Sequence, residues 1–284
     1  METIKSLEKI NFDMLFASFS EAFNDYEVQI TKNEFQMMLL RRGFVPELSF
    51  GAFDQDRLVS FTLNGVGDFN GVKTAYDTGT GTIKECSQRG LATRIFEYSI
   101  PNLKNAGVSQ YLLEVLQHNA KAVSVYQKLG FKVSREFYYF RQGLEEINTN
   151  LKTGKKKFDF SQITLNNHEQ MRSFWDFTPS WQNSFDSISR CSSDFIKVGA
   201  FEGLNLVGYC IFEPNAGDIT QIAVDRKYRR QEIGTSLLAE VLKHNKSKSI
   251  KLINAEIGHD SIRHFVESKG ILLKGKQYEM LKPL

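Results

Sequence analysis

The chain has 284 residues, 41% of them apolar and 24% charged, with a formal net charge of +3. At roughly 150 residues per domain that length favours two domains with sizeable cores. So small a charge excess excludes an electrostatic argument for a nucleic-acid partner.

Cys86, Cys191 and Cys210 are far apart and show no CxxC or Cys/His spacing, so neither a disulfide framework nor a metal is expected. The opening "METIKSLEKINF" has no apolar signal core, and no run approaches the ~20 apolar residues of a membrane span. The expectation is a cytoplasmic enzyme or binding protein with neither membrane nor nucleic acid as partner.

In chain order, "FDMLFASFSEAF" and "TKNEFQMMLLRRGF" carry apolar residues at helical spacing. "LSFGAFDQDRLVSFTLNGV" reads as two strands joined at "DQD", and "TAYDTGTGTIKE" as a third. The stretch "NGVGDFNG" between them reads as a loop near an acceptor site. "SQRGLA" then turns a strand into a helix, where Ile95, Phe96, Ile100 and Leu103 share one face. Gly and Ala at that point either make a tight turn or let a phosphate approach the unpaired N–H groups of a helix N-terminus. "SQYLLEVL" is a short apolar strand, "NAKAVSVYQKLG" a helix closed by Gly130, and "FKVSREFYYF" a strand.

The second half repeats that order. "SDFIKVGAFEGLNLVGYCIFE" is a hairpin, "GDITQIAV" a strand, and "RRQEIGTSLLAEVLKHN" a turn into a helix. "SIKLINAEI" is a strand, "HDSIRHFVESKG" a helix closed by Gly270, and "ILLKGKQYEMLKPL" a last strand. The chain therefore reads as a duplicated α/β unit: a domain over 1–146, a polar, lysine-rich linker over 147–157, and a domain over 158–284.

Two motifs resemble those of GNAT-type N-acetyltransferases. That superfamily carries Arg/Gln-x-x-Gly-x-Gly/Ala after its fourth strand; here the pattern falls on Ser87, Gly90 and Ala92, and in the second half on Arg229, Glu232 and Gly234. Its later signature, an Asn, a helix containing Tyr, then Gly-Phe, matches Asn119, Tyr126, Gly130 and Phe131. The resemblance implies two tandem GNAT-like domains, each a mixed, largely antiparallel sheet flanked by helices. It also implies acetyl-CoA as co-substrate. The pyrophosphate would rest on Gln88, Arg89, Gly90, Leu91, Ala92 and Thr93, the pantetheine arm along Gly81, Thr82 and Ile83, and Asn119 would meet that arm.

By the same resemblance Tyr126 is the general acid for the leaving thiolate and Glu114, in "YLLEVL", the base for the attacking amine. A primary amine with a pKa near ~10.4 needs such a base. Tyr126 as core packing and Glu114 as a partly solvated carboxylate are the structural alternatives. The second half departs at each place, with Glu232 in its loop, Val266 for the Tyr, His259 for the Asn and Asn254 for the Glu. His259 and His264 are expected on an exposed helix face. The implied function is acetyl transfer to a small-molecule or peptide amine in the N-terminal half; the alternative is a non-catalytic CoA-binding or sensor module. The acceptor and the oligomeric state are not readable.

Overall fold

The computed structural model describes residues 2–25, 29–147 and 158–284. The expected linker, with its lysine run 155–157, lies beyond Ile147 outside the described residues. In chain order the strands and helices are β1 (Thr3–Ser6), α1 (Phe12–Ala22), α2 (Lys32–Arg42), β2 (Phe50–Asp54), β3 (Arg57–Phe69), β4 (Val72–Thr82), α3 (Leu91–Asn105), β5 (Gln110–Leu116), α4 (Ala120–Lys128) and β6 (Lys132–Gly143). There follow β7 (Asp159–Gln162), α5 (His168–Ser173), α6 (Phe185–Arg190), β8 (Ile196–Glu202), β9 (Asn205–Glu213), β10 (Asp218–Val224), α7 (Ile233–Leu242), β11 (Ser249–Glu256), α8 (Asp260–Glu267) and β12 (Leu273–Pro283).

These elements form two compact units, Met1–Ser134 with Tyr278–Leu284, and Arg135–Gln277. The first orders its strands β1-β2-β3-β4-β5 and closes with the end of β12. The second runs β7-β8-β9-β10-β11-β6. The described ladders within the units are antiparallel except for β4 with β5 and β10 with β11, which are parallel.

Reading the sequence gives each half its own last strand. The units take each other's instead, because strand partners are chosen by ladder and apolar match rather than by proximity in sequence. Met280, fully buried, packs with Tyr111, Leu113 and Phe131, while Phe140 packs with Val207, Phe212 and Leu252.

Local rules account for most of the first unit. Thr31 caps α2 in a reciprocal box with Glu34, and Gly43 ends that helix in a left-handed conformation. The apolar stripes of α1 and α2 place Leu15, Phe19, Phe35 and Leu39 against Phe61 and Leu63 of β3. A side chain as buried as Phe35 contributes ~1.5–3 kcal/mol, and Phe35→Ala would cost about 3–5 kcal/mol. α3 packs Leu91 and Ile95 against Val59 and Ile83.

The stretch "NGVGDFNG" is not a loop. β3 runs through Phe69 and turns at Asn70-Gly71, both at positive φ, into β4. Asn-Gly between alternating residues is a strong hairpin signal, so the expected acceptor loop is sheet.

One feature recurs in both units and makes room at the sheet's centre. β4 pairs with β5 only from Thr74 to Tyr76, although both strands continue. β10 pairs with β11 only at Asp218. The strands then splay. Just beyond, a bulge inserts one residue into the ladder to the preceding strand, Thr78 in the first unit and Thr220 in the second.

Candidate functional site

In the first unit β4 leads through a short 3-10 turn, Lys84–Cys86, into the loop before α3. Gln88 and Gly90 both have positive φ. A Cβ on Gly90 would meet nothing within 4 Å, so this glycine answers a backbone demand rather than a steric one. No side chain caps α3, which leaves the N–H groups of Leu91, Ala92 and Thr93 without helical partners. Such a helix start suits an anion. Leu91 itself is core, and Gln88 is exposed.

Arg89 is engaged elsewhere. Its guanidinium meets the Glu2 carboxylate at 3.4 Å and donates to Glu85 O at 3.1 Å. Arg94 meets the same carboxylate at 3.4 Å.

The expected pantetheine strand divides. Ile83 is fully buried and its N–H donates to Val59 O at 3.0 Å, so that amide is already used. By antiparallel alternation Gly81 faces β3 in the same way, while Thr82 and Thr80 turn their backbone groups to the opposite edge. A Cβ on Gly81 would lie 2.6 Å from Phe61 Cζ and 3.0 Å from Ala22 Cβ. This glycine lets α1 seat on the sheet.

At the splay the sequence reading missed a residue. Asp77 is buried, and its Oδ2 accepts hydrogen bonds from Thr80 Oγ1 at 2.9 Å and from Tyr126 Oη at 3.2 Å. Its Oδ1 is buried too. Burial pushes the Asp77 carboxyl up to about 6, against the hydrogen bonds from Thr80, Tyr126 and the Gly79 backbone and the charge of Arg42. Tyr126 also packs edge-on against Phe96 and Phe131, both at 5.8 Å, so packing and hydrogen bonding coexist in it.

Glu114 is half-buried on β5. The Tyr76 phenol lies well above its ordinary range through burial, with the Glu114 carboxylate as a hydrogen-bonded neighbour adding to the rise. Asn119 caps α4, its Oδ1 accepting from Ala122 N at 3.2 Å. Nothing in "AYDTGTGT" marks Asp77. Its meaning comes from the bulge beside it and from a tyrosine on a different helix.

The second unit repeats the frame with other contents. Arg230 and Glu232 hold the same left-handed positions as Gln88 and Gly90. A cavity of about 630 Å³ opens here, lined in part by Phe174, Trp175, Tyr209, Gln221, Asn254 and Phe265. Its polar floor is paired and neutral. Trp175 donates to Tyr209 Oη at 2.5 Å, Tyr209 to Gln221 at 2.6 Å, and Gln221 to Asn183 O at 2.6 Å. Asn254 donates to Ser180 and accepts from Gln277.

Arg229 is held by both oxygens of Asp176, at 3.1 and 3.0 Å, and by Val224 O and Phe174 O. Burial raises the Asp176 carboxyl, yet Ser261 and Arg229 outweigh that and hold it below the ordinary range. Val266 is fully buried core. His259 precedes α8 without capping it through its side chain, and its ring lies 5.5 Å from Phe177. His264 is exposed at the cavity.

The acetyltransferase (GNAT) family matches residues 9–131 and 162–266. N-alpha-acetyltransferase 30 of Schizosaccharomyces pombe is 30% identical over 102 residues, 35% of this chain and 68% of that protein. N-alpha-acetyltransferase MAK3 of Arabidopsis thaliana is 26% identical over 107 residues, 37% of this chain and 56% of its own length. Among solved structures, a tandem GNAT protein from the clavulanic acid biosynthesis pathway superposes with a TM-score of 0.76 at 12% identity, covering 100% of this chain and 98% of that one. A GCN5-related N-acetyltransferase from Sphaerobacter thermophilus gives 0.72 at 13% identity, with coverage of 99% and 95%. At these identities the structures speak for the fold.

Proposed function

Because the chain belongs to the acetyltransferase (GNAT) family, we propose that its first unit transfers the acetyl group of acetyl-CoA to a primary amine, and that the second unit does no chemistry. The observation that carries this is the company at the splay. In the first unit Asp77, Tyr126 and Glu114 gather there, behind a loop whose uncapped helix start suits a pyrophosphate. At the corresponding places the second unit has Ile219, Val266 and Asn254.

The residues divide the work by position. The N–H groups of Leu91 to Thr93 hold phosphate oxygens, and the open edge of Thr80 and Thr82 pairs with the amides of the pantetheine arm. Glu114 takes the proton that keeps the acceptor amine from attacking, and Tyr126 serves the reacting nitrogen and sulfur. The relatives named as N-alpha-acetyltransferases make a peptide α-amine the first acceptor to test. Expected from a panel of N-terminal peptides and small primary amines is acetyl-CoA-dependent release of free CoA, with the acetyl group found on nitrogen by mass spectrometry. Binding of acetyl-CoA without release across the panel would replace transfer by the sensor reading.

A further inference from the structure

We propose that Asp77 and Tyr126 form a proton shuttle that carries the surplus proton from the acceptor nitrogen to the departing sulfur. Asp77 acts through Tyr126 as its positioning residue. This rests on the transferase reading and goes beyond it in reversing the first duty of Tyr126.

A phenol has one proton to donate. Here Tyr126 aims it at Asp77 Oδ2, 3.2 Å away. An ionised carboxylate only accepts, so the bond has that direction while Asp77 is charged. The tyrosine oxygen is then left to accept first, as a base does. Asp77 is placed for this duty. It is the first residue of β4 beyond the pairing with β5. Thr80 fixes its Oδ2, and the backbone of Gly79 gives the carboxylate a further hydrogen bond.

The charged and titratable groups facing it come from every neighbouring element. Arg42 on α2 donates to Thr78 O at 2.7 Å and favours the carboxylate. Tyr76 on β4, Tyr111 on β5 and Tyr126 on α4 also act with it, and Glu114 on β5 lies beside Tyr76. Tyr76 and Tyr111 are both pushed well above the ordinary phenol range, first by burial. Tyr126 is thus the phenol that serves Asp77.

The step balances. A neutral amine adds to the thioester carbonyl, forming the C–N bond and leaving a positive nitrogen and a negative oxygen. The nitrogen's proton passes to Tyr126 Oη as the phenolic proton passes to Asp77 Oδ2. The carbonyl re-forms and the C–S bond breaks, the electron pair leaving on sulfur. Tyr126 then protonates the thiolate and recovers its proton from Asp77. Amide and free thiol result, and the pair returns to its starting state.

Two measurements test this. Steady-state kinetics on Asp77→Asn, which keeps an acceptor for Tyr126 but takes no proton, should show kcat lower by about 10²–10⁴-fold, an unchanged KM for acetyl-CoA, and loss of the acid limb of kcat near pH 6. An unchanged kcat and pH profile would overturn the shuttle. Independently of turnover, the carbon resonance of the Asp77 carboxyl is titrated in the unaltered protein and in Tyr126→Phe. Loss of the phenol should raise its midpoint above about 6. An unmoved midpoint in a protein that acetylates amines overturns the shuttle alone. A coupled midpoint in a protein that acetylates nothing overturns the transferase reading and the shuttle's part in it.

Discussion

The two units share a backbone and differ in a few side chains. Both splay the same parallel strand pair and insert a threonine bulge beside it. Both place two left-handed residues before the helix that follows. Yet Asp77 faces Tyr126 in one unit, and the other has Ile219 and Val266, both fully buried. The frame thus rests on backbone demands that do not depend on these side chains. A cavity of about 630 Å³ lies in the unit that has Ile219 and Val266 at those two positions.

The sharpest way to break the comparison is to make the first unit resemble the second. Tyr126→Phe should lower kcat by about 10²–10⁴-fold with little change in the affinity for acetyl-CoA, because the phenol matters only as charge moves between nitrogen and sulfur. The ring stays, so its packing on Phe96 and Phe131 stays. Full turnover in Tyr126→Phe would make it a packing residue and leave the two units chemically alike. Val266→Ala is the matched change on the other side. It removes two buried methyl groups and should cost stability by about 2 kcal/mol while leaving turnover at its original level.

A second difference is energetic. The folded Asp77 carboxyl titrates at about 6 instead of 3.8. A raised carboxyl holds its proton better folded than unfolded, so stability falls as pH rises from about 4 to 6, and the full penalty stands above that window. At neutral pH the penalty is about 2–3 kcal/mol. Asp77→Asn should therefore stabilise the protein by that order at pH 7 and by nothing at pH 4, in the variant that loses turnover. Ile219→Asp in the second unit should destabilise at both pH values, because Ile219 is buried core, and by more at pH 7 than at pH 4. Denaturant unfolding at the two pH values checks both, and equal stability of Asp77→Asn and the unaltered protein at pH 7 would remove the cost that marks Asp77 as a functional carboxylate.

Such pairs also explain what was legible in the sequence. The duplication, the loops at Gly90 and Glu232, and the helices closed by Gly130 and Gly270 are local patterns, and each is found where the spacing put it. Asp77 was not legible, because its partner is a tyrosine brought near by the fold and its burial follows from a bulge. Ile83 looked like part of a binding strand, yet its amide was already taken by Val59. The two last strands matched their own halves in pattern, and pattern alone does not say which sheet edge an amphipathic strand will choose. The hairpin at Asn70-Gly71 is legible in its Asn-Gly pair between alternating residues.

A third prediction works on the frame itself. Glu232 sits at φ 64, where glycine is at ease and a side chain is not. Glu232→Gly should stabilise the second unit by about 0.5–1 kcal/mol, the strain relieved being partly offset by loss of a carboxylate at a helix start. It should also strengthen any CoA binding there. A thermal melt with and without CoA reads both effects; a fall in melting temperature would mean that Glu232 is held by contacts that outweigh its backbone strain.

The smallest expected effect concerns the loop of the first unit. Glu2 bridges Arg89 and Arg94, and a backbone hydrogen bond, followed by those arginines, holds its carboxyl below the ordinary range against some burial. It is therefore ionised at neutral pH, and it competes with a phosphate for the charge of Arg89. The second unit has its own version in Asp176, which grips Arg229 through both oxygens. The two differ in strength. Arg89 is 55% exposed and held by one carboxylate oxygen at 3.4 Å and one carbonyl, whereas Arg229 is 29% exposed and held from four acceptors. The first clasp should open for an anion and the second should not. Glu2→Gln should accordingly tighten CoA binding by about two- to fivefold, the scale of an exposed ion pair, and the gain should shrink as salt screens both partners. Calorimetric titration of CoA at low and high salt measures it. Weaker binding in Glu2→Gln would mean that the carboxylate positions Arg89 for the phosphate instead of competing with it, and the two clasps would then share a purpose.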